Sequence, residues 1–459
     1  MLPIQAIAAA VMLDYWADNN LNALFVTLFL IVVFAINMLS VHDYGEVEFL
    51  LSMTKIMVLV GFMCVLAGYG YVFLKKKSLS PLSDCLLCLT VFSPPHRLLA
   101  IVINIGGVSE GYIGLKYWHD PGAFHNGFKG ICTVFATASF AFAGTELVGL
   151  AAAETERPRK SFPKAIKAVF WRVTLFNIIS LFLIGLIVPY TEKGLLSSTT
   201  KMDPRTSPFV IAIERAAIAI LPSIMNAFIL IAIIAVGSMA VFGSSRTLTA
   251  LADQAQAPAC FSYIDRKGRP LVAILTAFFV GLVAYVATQP EKASVLDWLG
   301  ALCGLSSTFT WGSICLCHIR FRHTWAARHH NSHDDIPWSS HLDVTGSWIG
   351  LIVNIVVILA QFWVAAFPVG TSAWPLTDDA STLSPKGRAV NFFFKFACVP
   401  VVIVFYVLHK LWWRTSFVRT ADMDIDTGRH GFDVPLILAV DIEDWNTTPW
   451  WKHIYEFLC

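Results

Sequence analysis

Residues 139–149 read Ser139-Phe-Ala-Phe-Ala-Gly144-Thr145-Glu146-Leu-Val-Gly149. They lie inside an apolar run, Ile131–Ala153, whose single charge is Glu146. A bilayer core about 30 Å thick is crossed by about 20 apolar residues in a helix, so this run is long enough to span it. An ionisable group at the bilayer centre costs roughly 2.5–3.5 kcal/mol on insertion scales, so Glu146 must face a protein interior or a watery cavity. Two readings compete. Ala141, Thr145, Gly149 and Ala153 form a small-residue row at a spacing of four, which suits close helix packing. That row explains neither Glu146 nor Gly144, whose neighbour four residues on is the bulkier Val148. A broken helix explains both. Gly144 beside Thr145 tolerates unwinding, and the freed N–H and C=O groups can bind a substrate or ion at mid-depth. Irregular backbone stands there only where it lines a cavity. The residues favour the second reading.

The rest of the chain fits a membrane-embedded frame around this stretch. Of 459 residues, 56% are hydrophobic and 14% charged, against about 25% charged in soluble domains. The mean hydropathy is +0.65. A net charge of +2 gives no surface for polyanions, so nucleic acid is not an expected partner. Further apolar runs are Asn22–Leu39, Phe49–Leu74 (one charge, Lys55), Val173–Tyr190, Pro222–Gly243, Leu271–Thr288, Trp298–Ile319, Thr345–Phe367 and Val390–Leu408. With Ile131–Ala153 they make nine expected spans, and Met1–Met12 reads as the tail of another helix. Met1–Met12 lacks the basic start and small-residue cleavage site of a signal peptide. The runs are continuous and do not alternate, which excludes a β-barrel. The fold class expected is an all-α polytopic membrane protein in the lipid bilayer.

Basic residues concentrate in segments 154–172, 244–270 and 320–343 and in the tail from Lys410. The positive-inside rule places these, and so the C-terminus, in the cytosol. Residues 1–408 form the expected membrane domain and 409–459 a cytosolic tail. Lys55 lies about two turns, roughly 11 Å, into its span. It either snorkels to the interface or acts as a buried ammonium that replaces a bound sodium ion or itself gains and loses a proton. The stretch Gly237-Ser-Met-Ala-Val-Phe-Gly-Ser-Ser-Arg246 carries hydroxyls that line an ion site or join helices. Ten cysteines are scattered, mostly inside spans, as buried apolar thiols are. Cys85 and Cys88 form a lone pair of the CxxC type without a second pair. His318, His323, His329, His330, His333 and His341 share one segment at irregular spacing, which reads as a solvated loop before it reads as a zinc site. There is no Walker A, GxSxG or HExxH pattern, so neither an enzyme nor a cofactor is expected. The driving force must be an ion gradient or the substrate gradient itself.

Several runs together resemble the fungal amino acid permeases of the amino acid–polyamine–organocation superfamily. They are Phe140–Glu154 with the following Thr-Glu-Arg-Pro-Arg-Lys-Ser-Phe-Pro163, Gly243–Ala252, Gln256–Pro270, Leu305–Trp311, Ile319–Arg322, Asp424–Arg429 and the ending Trp450-Trp451…Phe457-Leu-Cys459. The resemblance implies the LeuT-like inverted-repeat transporter fold, with this chain lacking helices 1, 2 and most of 3. It implies that Glu146 lies in the broken sixth helix, Ser238 and Ser244 in the eighth, and Lys55 at the sodium position of proton-coupled relatives. The expected substrate contacts are Phe140, Phe142, Ala143, Gly144, Thr145, Glu146 and Ser238, with Lys55 and Ser244 for ion coupling. The expected function is plasma-membrane amino acid transport by proton symport; a membrane amino acid sensor of the same fold is the alternative. Lacking half the substrate site, the chain as written is expected not to transport. Residues 69–100, with Lys75-Lys76-Lys77 and Pro81, Pro94 and Pro95, read as an insertion, a translated intron. Cys459 is the expected acylation site, its rival an unmodified amphipathic end. The cytosolic tail is the expected landing place for trafficking partners.

Overall fold

A computed structural model of the chain describes residues 1–16, 21–54, 115–122, 127–152, 158–174, 178, 181–182, 185–186, 188–192, 211, 221–288, 292–328, 340, 342–367 and 385–425. Regular structure among them is helical throughout. Among the described residues four helical stretches are long and apolar enough to cross a bilayer: Gly127–Gly149, Ser223–Asp253, Trp298–Ala327 and Asp343–Ala366. Shorter apolar helices are Leu2–Leu13, Asn22–Asn37, Leu271–Val286 and Cys398–Trp413. Lys55, residues 69–100 and Cys459 lie outside the described residues.

The chain divides into two compact units. The first comprises residues 1–123 and 174–299. It contains α1 (Leu2–Leu13), α2 (Asn22–Asn37), a helical stretch over residues 41–54, and two helices labelled α6 (Leu221–Asp253) and α7 (Leu271–Gly281) in chain order. Both faces of α2 are apolar, yet only one is buried. Phe25, Phe29 and Val33 turn inward, while Leu24, Leu28 and Ile31 are more than half exposed. Burying apolar surface gives no preference between protein and lipid, so these helices hold together through close approach and polar bridges. A methyl group on Gly237 of α6 would stand 2.7 Å from Phe29 Cζ. One on Gly281 of α7 would meet Leu2 Cδ2 at 2.8 Å. Trp16 Nε1 donates to Ser223 Oγ at 2.9 Å, and the hydroxyls of Thr27 and Tyr285 are 2.7 Å apart. Asn37 donates to Val33 O at 3.0 Å and lies 3.5 Å from Ser238 O.

The connection from α6 to α7 is pinned by one arginine. Arg269 donates to Asp265 Oδ2 and to Met38 O, both at 2.5 Å, joining the turn to the end of α2. The Arg266 N–H donates to Asp265 Oδ1 at 2.7 Å, and Gly268 closes the turn at φ +75°. The hydrogen bond from Arg269, with help from the Arg266 N–H, holds the Asp265 carboxyl below its ordinary pKa.

The second unit comprises residues 124–173 and 300–459. Its helices are α3 (Gly127–Phe142), α4 (Leu147–Ala152), α5 (Pro158–Val173), the greater part of α8 (Lys292–Ala327), α9 (Asp343–Ala366), α10 (Pro385–Phe396) and α11 (Cys398–Trp413). Gln361 of α9, buried, donates to Cys132 O of α3 at 3.0 Å. Cys132, Ala360 and Val364 form a small core with Phe135 and Trp363 against it. The pair α8–α9 runs antiparallel in a clear register. Arg322 bonds Asp343 at 2.6 Å, His318 Nδ1 lies 2.8 Å from Ser347 Oγ, and a methyl on Gly350 would stand 2.9 Å from Cys315 Sγ.

The structure revises several span boundaries. The expected span Val390–Leu408 is two helices that part at Ala397. Pro400 has no N–H to give the Phe396 carbonyl, and its ring crowds that oxygen, so the helix restarts. The run Pro222–Gly243 continues as helix to Asp253, which places Arg246 on a helix and not in a loop. Trp298–Ile319 likewise continues to Ala327. At 1.5 Å per residue α6 and α8 are roughly 50 Å long, well beyond the hydrocarbon. Hydropathy marks only the part inside lipid. Segment 154–172 also contains a helix, α5, rich in basic residues. Leu271–Thr288 tightens to 3₁₀ geometry after Gly281.

Two measurements test this packing. Gly237→Ala is expected to cost about 2 kcal/mol by overpacking against the buried Phe29 ring, read as a fall in thermal midpoint of the purified protein. Pairing it with Phe29→Leu should return part of the loss in a double-mutant cycle. The Asp265–Arg269 turn sets a pH dependence. The folded carboxyl titrates below the unfolded one, so its stabilisation is present above about pH 4 and disappears as pH falls through the folded value. Thermal midpoints between pH 6 and pH 3 should therefore fall more steeply in the native chain than in Asp265→Asn.

Candidate functional site: a broken helix at Gly144

Helix α3 ends at Phe142, a turn occupies residues 143–146, and α4 resumes at Leu147. Gly144 sits at φ +94°, a region that residues with a Cβ rarely adopt. The turn reroutes the backbone bonds. Ala143 N–H donates to Phe140 O at 3.1 Å, Leu147 N–H to Gly144 O at 3.1 Å and Gly149 N–H to Glu146 O at 3.0 Å. The Thr145 hydroxyl donates to Phe142 O at 2.9 Å. Glu146 reaches back two residues, and its Oε2 accepts the Gly144 N–H at 3.0 Å. Among the described residues no backbone hydrogen bond uses the Glu146 N–H or the Ala143 carbonyl. Ala143 to Glu146 are all partly buried, Phe140 is partly buried, and Phe142 is exposed. One contiguous turn thus holds a carboxylate, a carbonyl and an N–H at a membrane-crossing position, with two phenylalanines on the helix that enters it.

Ser238 belongs to the first unit and is fully buried on α6. Its carbonyl receives Asn37, and its hydroxyl makes no hydrogen bond among the described residues. Ser244 is exposed, with its hydroxyl turned back on Val241 O at 3.2 Å. The buried neighbour is Ser245, one heptad beyond Ser238 on the same face. Sequence reasoning named Ser244 and not Ser245, and the seven-residue spacing from Ser238 was the signal for the buried face. It also missed Asn226, fully buried on α6 with neither amide atom hydrogen-bonded among the described residues. Tyr44 stacks on Phe242 at 4.7 Å and Arg246 covers the same ring at 3.7 Å, so Arg246 packs against aromatic surface. Of the histidines, His318 bonds Ser347 and His323 is exposed. Among the described residues no group of three or more His, Cys, Asp or Glu could hold a metal ion.

Comparison with known proteins identifies the chain's relatives. The family model described as amino acid permease matches residues 1–80 and 87–421. The chain belongs to the amino acid permease family. It is 42% identical over 471 residues to the general amino-acid permease GAP1 of Saccharomyces cerevisiae, with all of this chain and 70% of that protein aligned. The general amino-acid permease GAP2 of Candida albicans is 43% identical over 467 residues, covering all of this chain and 71% of the relative. The histidine permease of Saccharomyces cerevisiae is 39% identical over 444 residues, 95% of this chain and 66% of its own length. This permease is a multi-pass membrane transporter of amino acids and not an enzyme.

The backbone of Gly144 can be tested apart from transport. A methyl group there would have its nearest contact, Leu147 Cδ1, at 3.9 Å, so Gly144→Ala creates no clash. Its cost is the positive φ alone, about 1–3 kcal/mol. Gly149→Ala, on α4 with nothing within 4 Å of the added methyl, carries no such cost. Thermal midpoints should separate the two variants in that order.

Proposed function

We propose that this permease is a proton-coupled amino acid symporter of the plasma membrane whose substrate binds at the turn 143–146. The observation that supports the reading is the pair of acceptors left at the break. The Ala143 carbonyl and the Glu146 carboxylate are chemically suited to an ammonium group. The Glu146 N–H, which no backbone bond uses among the described residues, is suited to a carboxylate. An α-amino acid carries both partners on adjacent carbons, and discontinuous helices recognise such zwitterions with backbone groups. Phe140 and Phe142 flank the side chain, and Thr145 steadies the turn through Phe142 O. Lys55 and Ser244 serve the coupling ion, Lys55 from outside the described residues.

Radiolabelled amino acid uptake in a permease-deficient host tests this. The chain is expressed as it stands and, in parallel, joined to the part of the Saccharomyces cerevisiae relative that it does not match. Uptake by the joined form is expected to be faster at pH 5 than at pH 7.5. Glu146→Ala and Gly144→Ala should each reduce it at least ten-fold at equal surface amount. Uptake indifferent to pH would refute the coupling, and full uptake by both variants would refute the site.

A further inference from the structure

The cytosol-bound end assigned to α8 by the charge rule carries a feature unconnected with the broken helix. Helix α11 ends at Arg414, whose left-handed backbone (φ +46°) turns the chain sharply. Lys410 fixes the turn by donating to Thr415 O at 2.8 Å. The segment that follows is laid along α8 and is held there by residues four apart on one face. Arg320 donates to Val418 O, and its guanidinium covers the Phe417 ring at 4.6 Å. Arg328 donates to Met423 O at 2.6 Å. Between them Thr324, fully buried, has its hydroxyl 3.4 Å from both Thr420 O and Met423 Sδ. Trp325, beside it, is also buried.

The chemistry of this row is that of a peptide clamp. Its two arginines bind main-chain carbonyls, so they grip the backbone of the segment. The ring of Phe417 is the side chain that sets the register. Residues 414–420 are otherwise exposed, so no buried core holds the segment down. We propose that residues 417–423 form a releasable strap on the Arg320–Thr324–Arg328 row. When docked it keeps the root of the C-terminal tail against α8; when released it gives soluble proteins access to that root. The occupant of the row is this chain's own segment.

Thiol labelling of the full chain in native membranes or lipid vesicles tests the proposal. Met423→Cys places a reporter at the docked, partly buried end of the strap. Its labelling by a charged maleimide is expected to accelerate at least five-fold when Arg328→Met or Phe417→Ala is added. Arg320→Lys with Arg328→Lys, which keeps the donors, should leave the rate near the starting value. So should Arg322→Met, on the same helix but bonded to Asp343. Phe417→Ala lies in the tail and leaves the helices untouched, so the test survives if an α8 variant fails to fold. Equal labelling rates in the reporter alone and in both releasing variants would overturn the strap. Acceleration by Arg322→Met to the same degree would overturn it too, because the effect would then belong to α8 as a whole.

Discussion

Hydrocarbon offers a peptide group no hydrogen-bond partner, and the structure is arranged around that constraint. A chain that crosses it must satisfy its N–H and C=O groups internally, which is why the regular structure here is helical. The same constraint gives the break at residues 143–146 its meaning. At residues 143–146 the helical ladder is interrupted, and the turn repairs itself with Thr145 Oγ1 on Phe142 O and Glu146 Oε2 on the Gly144 N–H. A carboxylate used to satisfy a main-chain donor in such a place is costly unless water or a polar solute can reach it. The repair is also incomplete, since the Ala143 carbonyl and the Glu146 N–H stay outside it among the described residues. A packing defect would be closed by a helix-continuing residue at 144. Glycine at φ +94° keeps it open.

The second consequence concerns what joins the helices. An apolar face gains little by leaving lipid for protein, so contact must come from shape and from polar pairs. Phe29 fits against the bare backbone of Gly237, Leu2 against Gly281, and Cys315 against Gly350. Polar pairs then fix the register: Gln361 on Cys132 O in one place, His318 with Ser347 and Arg322 with Asp343 in another. In the α8–α9 pair the partners 322 with 343, 318 with 347 and 315 with 350 step in opposite directions along the two helices. A slip of one residue would separate all three at once.

What the sequence disclosed follows from the same physics. Apolar runs exist because lipid demands them, so the apolar helices among the described residues were legible. Their ends were not. Beyond the hydrocarbon a helix continues on its own hydrogen bonds, and Asp253 and Ala327 carry no hydropathy signal. Ala397 was hidden for a different reason. The run through it carries only Asn391 and Lys395 as polar residues, near its start, and Pro400, three residues on, marks the interruption. Gly144 was legible because a glycine, a hydroxyl and a carboxylate at consecutive positions serve no lipid-facing purpose. Ser244 and Ser245 differ by 100° around a helix, and composition cannot choose between them. The seven-residue step from Ser238 to Ser245 marks the buried face once Ser238 is known to be buried.

Helix α8 shows how one element carries two attachments without confusing them. His318 and Arg322 face α9, while Arg320, Thr324 and Arg328 face the tail. Steps of two residues turn a helix by about 200°, so the two rows lie on nearly opposite sides. The α9 side is secured by an ion pair between side chains and by a close glycine contact, which tolerate little relative motion. The tail side is secured by guanidinium groups on carbonyls, which a shift of about one ångström would lengthen beyond hydrogen-bond range. Any displacement of this helix end is therefore transmitted as a block to α9 and as a loss of grip to residues 417–423. Because Arg320 and Arg328 are eight residues apart on one rigid helix, a tilt that loosens one cannot leave the geometry of the other unchanged. Helix α8 thus carries the α9 contacts and the tail contacts on separate faces.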